Sequence, residues 1–336
     1  MNTTIQDIGE AAIINRIRKK AARDLPSFVT LGIGDDCAVI ETTGDDVVLV
    51  TTDTLVEGVH FTFRIMPFEA IGWKSLAVNV SDIAAMGAVP TAAVLSLGLP
   101  KDLDATFVDA FLDGFDALAQ KAGVVLAGGD TVESPHATVI TVTLLGRCAK
   151  SRIVRRSGAQ PGDDSWVTGP LGNAAAGLFL LSTRPPEDWH DYETLVNAHR
   201  RPAPRHPLGR ALAEEALASA MIDLSDGIAT DLGHICRESH TGALMQASAL
   251  PLSDALVRLA RLEGKSPLDW ALYGGEDYEL LFTASPNHKA HIKALTQAET
   301  GVAAVRIGTI TPGTTVRIQT ETGIKPLNST GYQHFA

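Results

Sequence analysis

With 336 residues, 45% of them apolar and 20% charged, and a net charge of −11 at neutral pH, the chain has the composition of a globular protein large enough for two cores. Such acidity argues against nucleic acid as the main partner, because phosphate backbones are bound by clustered Lys and Arg. No run approaches the ~20 apolar residues of a membrane span, so no membrane association is expected, and the N-terminus lacks the apolar core of a signal peptide. The cysteines (Cys37, Cys148, Cys236) are odd in number, far apart and never in a CxxC pair. Neither a disulfide framework nor a zinc site is expected, and a cytoplasmic location is.

In chain order, VVLVTTD (47–53), AAVLSLGL (92–99), VVLAGGD (124–130) and TVITVTLLG (138–146) are short, rich in β-branched residues and bounded by Gly, Pro or Asp. These features predict strands. Helices are predicted over 68–86 and 103–121, giving a β-α-β-α-β-β unit. The Gly- and Pro-punctuated SRIVRRSGAQPGDD then predicts a connection, with domains at 1–150 and 151–336. Beyond it, SWVTG, AMIDLSDG, ALMQASAL, YELLFTA, AAVRIGTI and VRIQT predict further strands with helices between them. The expected class is α/β, with α+β layers and a larger second domain.

Five segments place a carboxylate beside glycine or at a strand end: GIGDD (32–36), TTDTLVEGVHF (51–61), GGDT (128–131), IDLSDG (222–227) and YGGEDYELLF (273–282). Any one alone reads as a turn or helix cap. Together they carry more weight, because three follow apolar strands expected to end at one sheet edge. Carboxylates gathered there repel one another unless a cation lies between them, and magnesium suits an all-oxygen set.

The helix at 68–86 is mostly small and apolar, and so buried, yet carries Ser75, Asn79 and Asp82 at i, i+4 and i+7. A buried Asp82 needs a partner. Lys74 is eight residues away, about 80° round the helix, so a shared metal is favoured. The glycines of GIG, GG and SDG also let backbone N–H groups approach a polyphosphate. A GxxxxGK[ST] loop, a full dinucleotide fingerprint, the protein-kinase HRD and DFG motifs and GxSxG are all absent. His60 on its own reads as a packed histidine, Tyr332 as a docking aromatic, and Asp277 and Glu279 as structural.

Taken in order, GIGDDCAV, TTDTLVEGVHF, WKSLAVNVSDIAAMGA, GGDT, RRSGAQPGD, IDLSDG, GGEDYEL and GYQHF resemble the thiamine-monophosphate kinase family of the aminoimidazole-ribonucleotide synthetase-like superfamily. The resemblance runs from Leu31 to Phe335. It implies a two-domain aminoimidazole-ribonucleotide synthetase-like fold whose N-terminal domain pairs with its twin in a homodimer. The strands at 47–53, 92–99 and 138–146 would then leave an edge that pairing covers.

The implied activity is magnesium-dependent transfer of the γ-phosphoryl of ATP to thiamine monophosphate. Matched by position, Asp36, Thr51, Thr52, Asp53, Asp82, Asp130, Asp223 and Asp226 correspond to ligands of several Mg²⁺ ions. Gly129, Asp130, Arg156 and Ser225 correspond to ATP contacts, and His60, Glu276 and Tyr332 to acceptor contacts. Tyr332 stands where many members have Trp. Catalytic side chains distinct from these are not expected. The competing readings are another ATP-dependent enzyme of the superfamily and a non-catalytic nucleotide- or metal-binding protein. Intact ligands at every matched position speak against the latter.

Overall fold

The computed structural model describes residues 4–21, 25–301 and 304–328, so Tyr332 lies outside the described residues. The first half runs α1 (Ile5–Ala21), β1 (Val29–Leu31), β2 (Ala38–Glu41), β3 (Asp46–Val56), α2 (Phe68–Ala85), β4 (Val89–Leu99), α3 (Thr106–Ala122), β5 (Val125–Glu133) and β6 (Val139–Ala149). Its strands form one sheet in the order β1-β2-β3-β6-β4-β5, antiparallel except for the β4–β5 pair.

Burial alternates along β3 and β6, which leaves one face for the core and one for solvent. Helices α2 and α3 cover the core face. They approach until a Cβ at Gly72 would meet the Phe111 carbonyl oxygen at 1.9 Å, and one at Gly114 the Glu69 carbonyl oxygen at 1.7 Å. A chain of aromatic rings, Phe61, Phe63, Phe68, Phe107, Phe111 and Phe115, seals this layer at centroid spacings of 5.3–6.3 Å.

The second half runs β7 (Asp164–Val167), α4 (Asn173–Thr183), α5 (Glu193–Arg200), α6 (His206–Glu214), β8 (Ala220–Asp223), α7 (Ile228–Glu238), β9 (Gly242–Gln246), α8 (Asp254–Leu262), α9 (Pro267–Tyr273), β10 (Leu280–Ala284), α10 (Lys289–Thr300), β11 (Val305–Thr311), β12 (Val316–Thr320) and β13 (Gly323–Pro326). Its sheet has the order β13-β12-β9-β11-β7-β10-β8. Strands β7, β8 and β10 are buried throughout, and β8 and β10 carry short apolar runs, as strands covered on both faces do. The apolar cluster beneath the first sheet continues into α4, α5 and α8, so the halves share packing.

Three expectations need correction. The strands at 47–53, 92–99 and 138–146 belong to β3, β4 and β6, which are interior; the exposed edge is β5, where every residue is exposed. The aspartates do not end at one sheet edge either. Asp53 and Asp130 lie within β3 and β5, whereas Asp223 ends β8 in the other sheet. The strand predicted from Tyr278 begins only at Leu280. Glu276 (φ 68°) and Tyr278 (φ 49°) are in the left-handed region, which no strand accommodates.

Candidate active site

Helix α2 lies between the sheets and packs on β3, β6 and β8. Its C-terminal end brings Asp82 to Asp36, from the loop before β2, and to Asp223, at the end of β8. Carboxylate oxygens of these three lie within 4.8 Å of one another. Thr51 Oγ1 donates to Asp82 Oδ2 at 2.5 Å, and Ser81 Oγ donates to Asp223 Oδ2 at 2.7 Å. Asp53, on the same face of β3 as Thr51, shares a hydrogen bond with Asp82.

Arg156, in the connection between the sheets, grips Asp36 through Nε (3.2 Å) and Nη2, while its backbone N–H donates to both oxygens of Asp35 at 3.3 Å. Asp35 thus supports the Arg156 loop from beside the cluster.

Crowding and burial shift these acids upward. Burial pushes Asp36 up against the pull of Arg156, and it pushes Asp53 up against its hydrogen bond to Asp82. Asp82 is raised by burial and then by Asp53, Asp223 and Asp36. Burial, followed by Asp36, takes Asp223 to about 8, and burial with Asp36 takes Asp35 to about 7. The Oδ2 of Asp36 is buried with no partner. Clustered hard oxygen donors, an orphaned carboxylate oxygen and acids whose ionisation is opposed by burial and then by crowding are what a divalent cation would relieve, so the residues fit magnesium.

Asp53 also lines a cavity of ≈ 430 Å³, together with His60, Ser225, Asp226 and Glu276 from the motif set and Phe61, Ile65, Leu178, His199 and Tyr278. His60 Nδ1 accepts the Val56 N–H at 3.0 Å, so the ring of this loop histidine is oriented by the main chain. Glu276 is pinned between Lys74 Nζ (2.6 Å) and His199 Nδ1 (3.2 Å). Asp277 and Glu279 are structural. The first accepts the Gly172 and Ala174 N–H groups at the start of α4, and the second pairs with Arg205 and Thr168.

Some predicted residues lie elsewhere. Thr52 points to the open face of the sheet, bonded to the Val142 carbonyl and the Thr143 hydroxyl. Period-two alternation sends it away from Thr51 and Asp53. Ser75 and Asn79 bond the helix's own carbonyls of Gly72 and Ser75, and it is Ser81 that reaches the cluster.

Asp130 is exposed on β5 and bonds the N–H of Thr131. The register runs Asp53–Val142–Leu95–Gly129, so Asp130 lies about three strand spacings, ~14 Å, from Asp53 within one chain. Gly129 is required by packing, since a Cβ there would meet the Leu95 carbonyl oxygen at 1.9 Å. Residues that the motifs did not reveal are Ser81, Lys74 and His199, and Asp231 and His234, whose ligand atoms lie within 4.8 Å of one another and of Asp226.

The chain is similar to known proteins over most of its length. Residues 34–148 match the family model of the AIR synthase related protein N-terminal domain, and residues 160–321 match that of its C-terminal domain. The thiamine-monophosphate kinase of Escherichia coli (strain K12) is 44% identical over 276 residues, 82% of each chain. That of Bacillus subtilis (strain 168) is 36% identical over 313 residues, 92% of this chain and 94% of its own. The solved structure of AaThiL complexed with AMPPCP and TMP superposes with a TM-score of 0.87 at 33% identity, covering 99% of both chains. The chain belongs to the AIR synthase related family and, within it, to the thiamine-monophosphate kinases.

Proposed function

We propose that the chain transfers the γ-phosphoryl group of ATP to thiamine monophosphate, giving thiamine diphosphate and ADP. The observation that carries this reading is the continuity, through Asp53, of the carboxylate cluster with a cavity sized for a small organic phosphate. The relatives named above are kinases for this acceptor, and AaThiL was solved with an ATP analogue and TMP.

In this reading Asp36, Asp53, Asp82 and Asp223, with Asp226 and the main chain around Thr51 and Thr52, hold Mg²⁺. When bound, magnesium neutralises the phosphates and brings them together. Arg156, Ser225 and Gly129 contact ATP, and His60, Glu276 and Tyr332 contact the acceptor.

The acceptor phosphate, with a second pKa near ~6, is already a dianion at neutral pH, so the nucleophile needs no general base. The protein's part is to hold two anions in line and to supply charge from Arg156 that eases their approach. Residues 1–150 supply most of the metal ligands and the dimer contact, and residues 151–336 complete the site.

The working unit is a homodimer. The face of the first sheet opposite α2 and α3 exposes Val94 and Val132, and β5 is an uncovered edge that also exposes Leu126. Pairing these surfaces would cover them and bring Asp130 of the partner subunit toward a cluster that a chain's own Asp130 does not reach. The location is cytoplasmic. Among the described residues no helix is long and apolar enough to cross a membrane, and the three cysteines are free.

Incubation with Mg·ATP labelled on the γ-phosphate tests the reaction. Label is expected at the β-position of thiamine diphosphate, with one ADP per turnover and none on protein. Efficient phosphorylation of free thiamine, or a labelled enzyme, would overturn the direct in-line mechanism.

A further inference from the structure

Phosphoryl transfer between metal-bound phosphates gives no role to Lys74. Its side chain is 1% exposed and does not line the cavity. A buried ammonium is costly unless it is paired, and its partner is Glu276 Oε1 at 2.6 Å. On the other carboxylate oxygen stands His199 Nδ1 at 3.2 Å, on a ring 2% exposed. The backbone of Glu276 is fixed as well. It is left-handed at φ 68°, its N–H donates to the Ser225 carbonyl at 2.8 Å, and the Tyr278 N–H donates to the Leu224 carbonyl at 2.9 Å. Non-glycine residues are held in that region only where the surroundings over-determine them. The Glu276 carboxylate is thus fixed in place and direction on the cavity wall.

The same helix that holds it also enters the carboxylate cluster. Lys74 and Asp82 both lie on α2, eight residues apart, a rise of ~12 Å along the axis. Helix α2 is buried along most of its length, so this spacing does not flex. We infer that Lys74, assisted by His199, is a positioning residue for the phosphate acceptor, holding Glu276 at a set span from the carboxylate cluster. An acceptor that grips Glu276 then presents its phosphate at the metal-binding end.

The chemistry of the grip follows from the pairing. Lys74 already balances the charge of Glu276, so the carboxylate offers a directed hydrogen-bond acceptor more than a bare negative charge. It suits a neutral N–H donor, such as the amino group of an aminopyrimidine, better than a ring cation. The inference rests on Glu276 being an acceptor contact, as proposed above.

A double-mutant cycle tests both layers: Lys74→Met, Glu276→Gln and the two together, with KM and kcat measured separately for thiamine monophosphate and for Mg·ATP. Each single variant is expected to raise the acceptor KM roughly tenfold or more and to change the ATP KM less than about twofold. The double variant is expected to be no worse than Glu276→Gln alone, because Lys74 acts through the carboxylate. A merely structural lysine gives additive losses, or raises both KM values together, and either result overturns the inference while leaving the Glu276 contact standing. An unchanged acceptor KM in Glu276→Gln overturns both.

If Lys74→Met fails to fold with Glu276 left unpaired, the double variant still decides the matter, since it carries no buried charge at this pair. An acceptor KM equal to that of Glu276→Gln supports the inference, and a further loss sinks it. An acceptor analogue lacking the amino group is expected to bind weakly to the wild type but to lose little more in Glu276→Gln. Equal binding of both acceptors by the wild type would overturn the N–H assignment.

Discussion

Where Asp53 meets Asp36, Asp82 and Asp223, four carboxylates crowd together with Arg156 paired to Asp36; at the Glu276 wall of the same cavity, one carboxylate is matched by Lys74 and a neutral His199. The first arrangement is under-compensated, and its acids respond by moving up in pKa. The second is balanced. Burial pushes Glu276 up, but Lys74 and His199 outweigh it and hold the carboxyl at about 2, while burial and Lys74 keep His199 below its ordinary value. The contrast separates two uses of a buried acid. Charge left uncompensated attracts a cation that arrives with the substrate, whereas charge compensated from within the fold gives direction without net attraction.

Removing one acid from the crowded region is the sharpest way to break the comparison. Asp82→Asn and Asp53→Asn should each lower turnover by about 10³-fold or more, since a metal-assisted step loses a ligand. The metal-free protein should stay folded and even gain stability, because repulsion is relieved. The opposite holds at the balanced wall, where Lys74→Met leaves Glu276 buried and unpaired and should lower the melting temperature. Turnover per folded molecule, with calorimetry on the chelated proteins, checks both. Asn variants that unfold yet keep full specific activity would make the aspartates structural.

The motifs conveyed the chemistry better than the geometry. Asp82 was legible because a buried acid needs a partner wherever it lies, an argument from α2 that required no knowledge of the fold, whereas Asp36, Asp53 and Asp223 were legible as carboxylates in glycine-flanked or strand-end motifs. Applied to Lys74, the same reasoning would have found a second buried charge in need of a partner. On the helix alone Lys74 offers itself only as a neutraliser of Asp82, from which it is turned by about 80°. Thr52 enters through the family resemblance, and its side chain faces the open side of the sheet because alternate residues of a strand face opposite sides. His199 sits beside the proline-rich RRPAPRHP and carries no local signal, since its role exists only once α5 packs against α2. The position of β5 at the sheet edge likewise depends on strand order, which periodicity does not encode.

That edge supplies the next test, smaller in effect and aimed at where the first region ends. Asp53→Asn and Asp130→Asn are each expected to be nearly inactive alone. If Asp130 acts across a dimer, mixing the two variants with subunit exchange should restore activity. Random pairing makes half the dimers mixed, and one of the two sites in each mixed dimer carries neither substitution, so about a quarter of wild-type turnover should return. No recovery, despite mixed dimers detected by native mass spectrometry, would confine Asp130 to its own chain or remove it from the site. A monomer at micromolar concentration in sedimentation would remove the dimer altogether.

The mildest test uses pH without mutation. Asp35 and Asp223 are held at about 7 and about 8, with burial the main cause in both, and Asp36, Asp53 and Asp82 are shifted in the same direction. In the unfolded chain these groups titrate near ~4. An acid raised on folding contributes stability that is fully present below its unfolded pKa and lost as pH rises through its folded pKa. Two other sets of groups act in the opposite sense, and both do so at lower pH. Glu276, held at about 2, loses its contribution only in acid, and the lowered His199, His206 and His234 lose theirs as pH falls below ~6.5. The window is therefore pH 6.5 to 8, where Asp277 at the start of α4, raised to about 7 chiefly by burial, adds to the same slope. There the chelated protein should lose about 3–6 °C of melting temperature as the crowded aspartates ionise. Excess magnesium, which binds the ionised form, should flatten or invert that slope and give its largest stabilisation at the alkaline end. A chelated protein whose melting temperature rises across this window would mean that the aspartates are already ionised and compensated, as Glu276 is, and the distinction between the two regions would be lost.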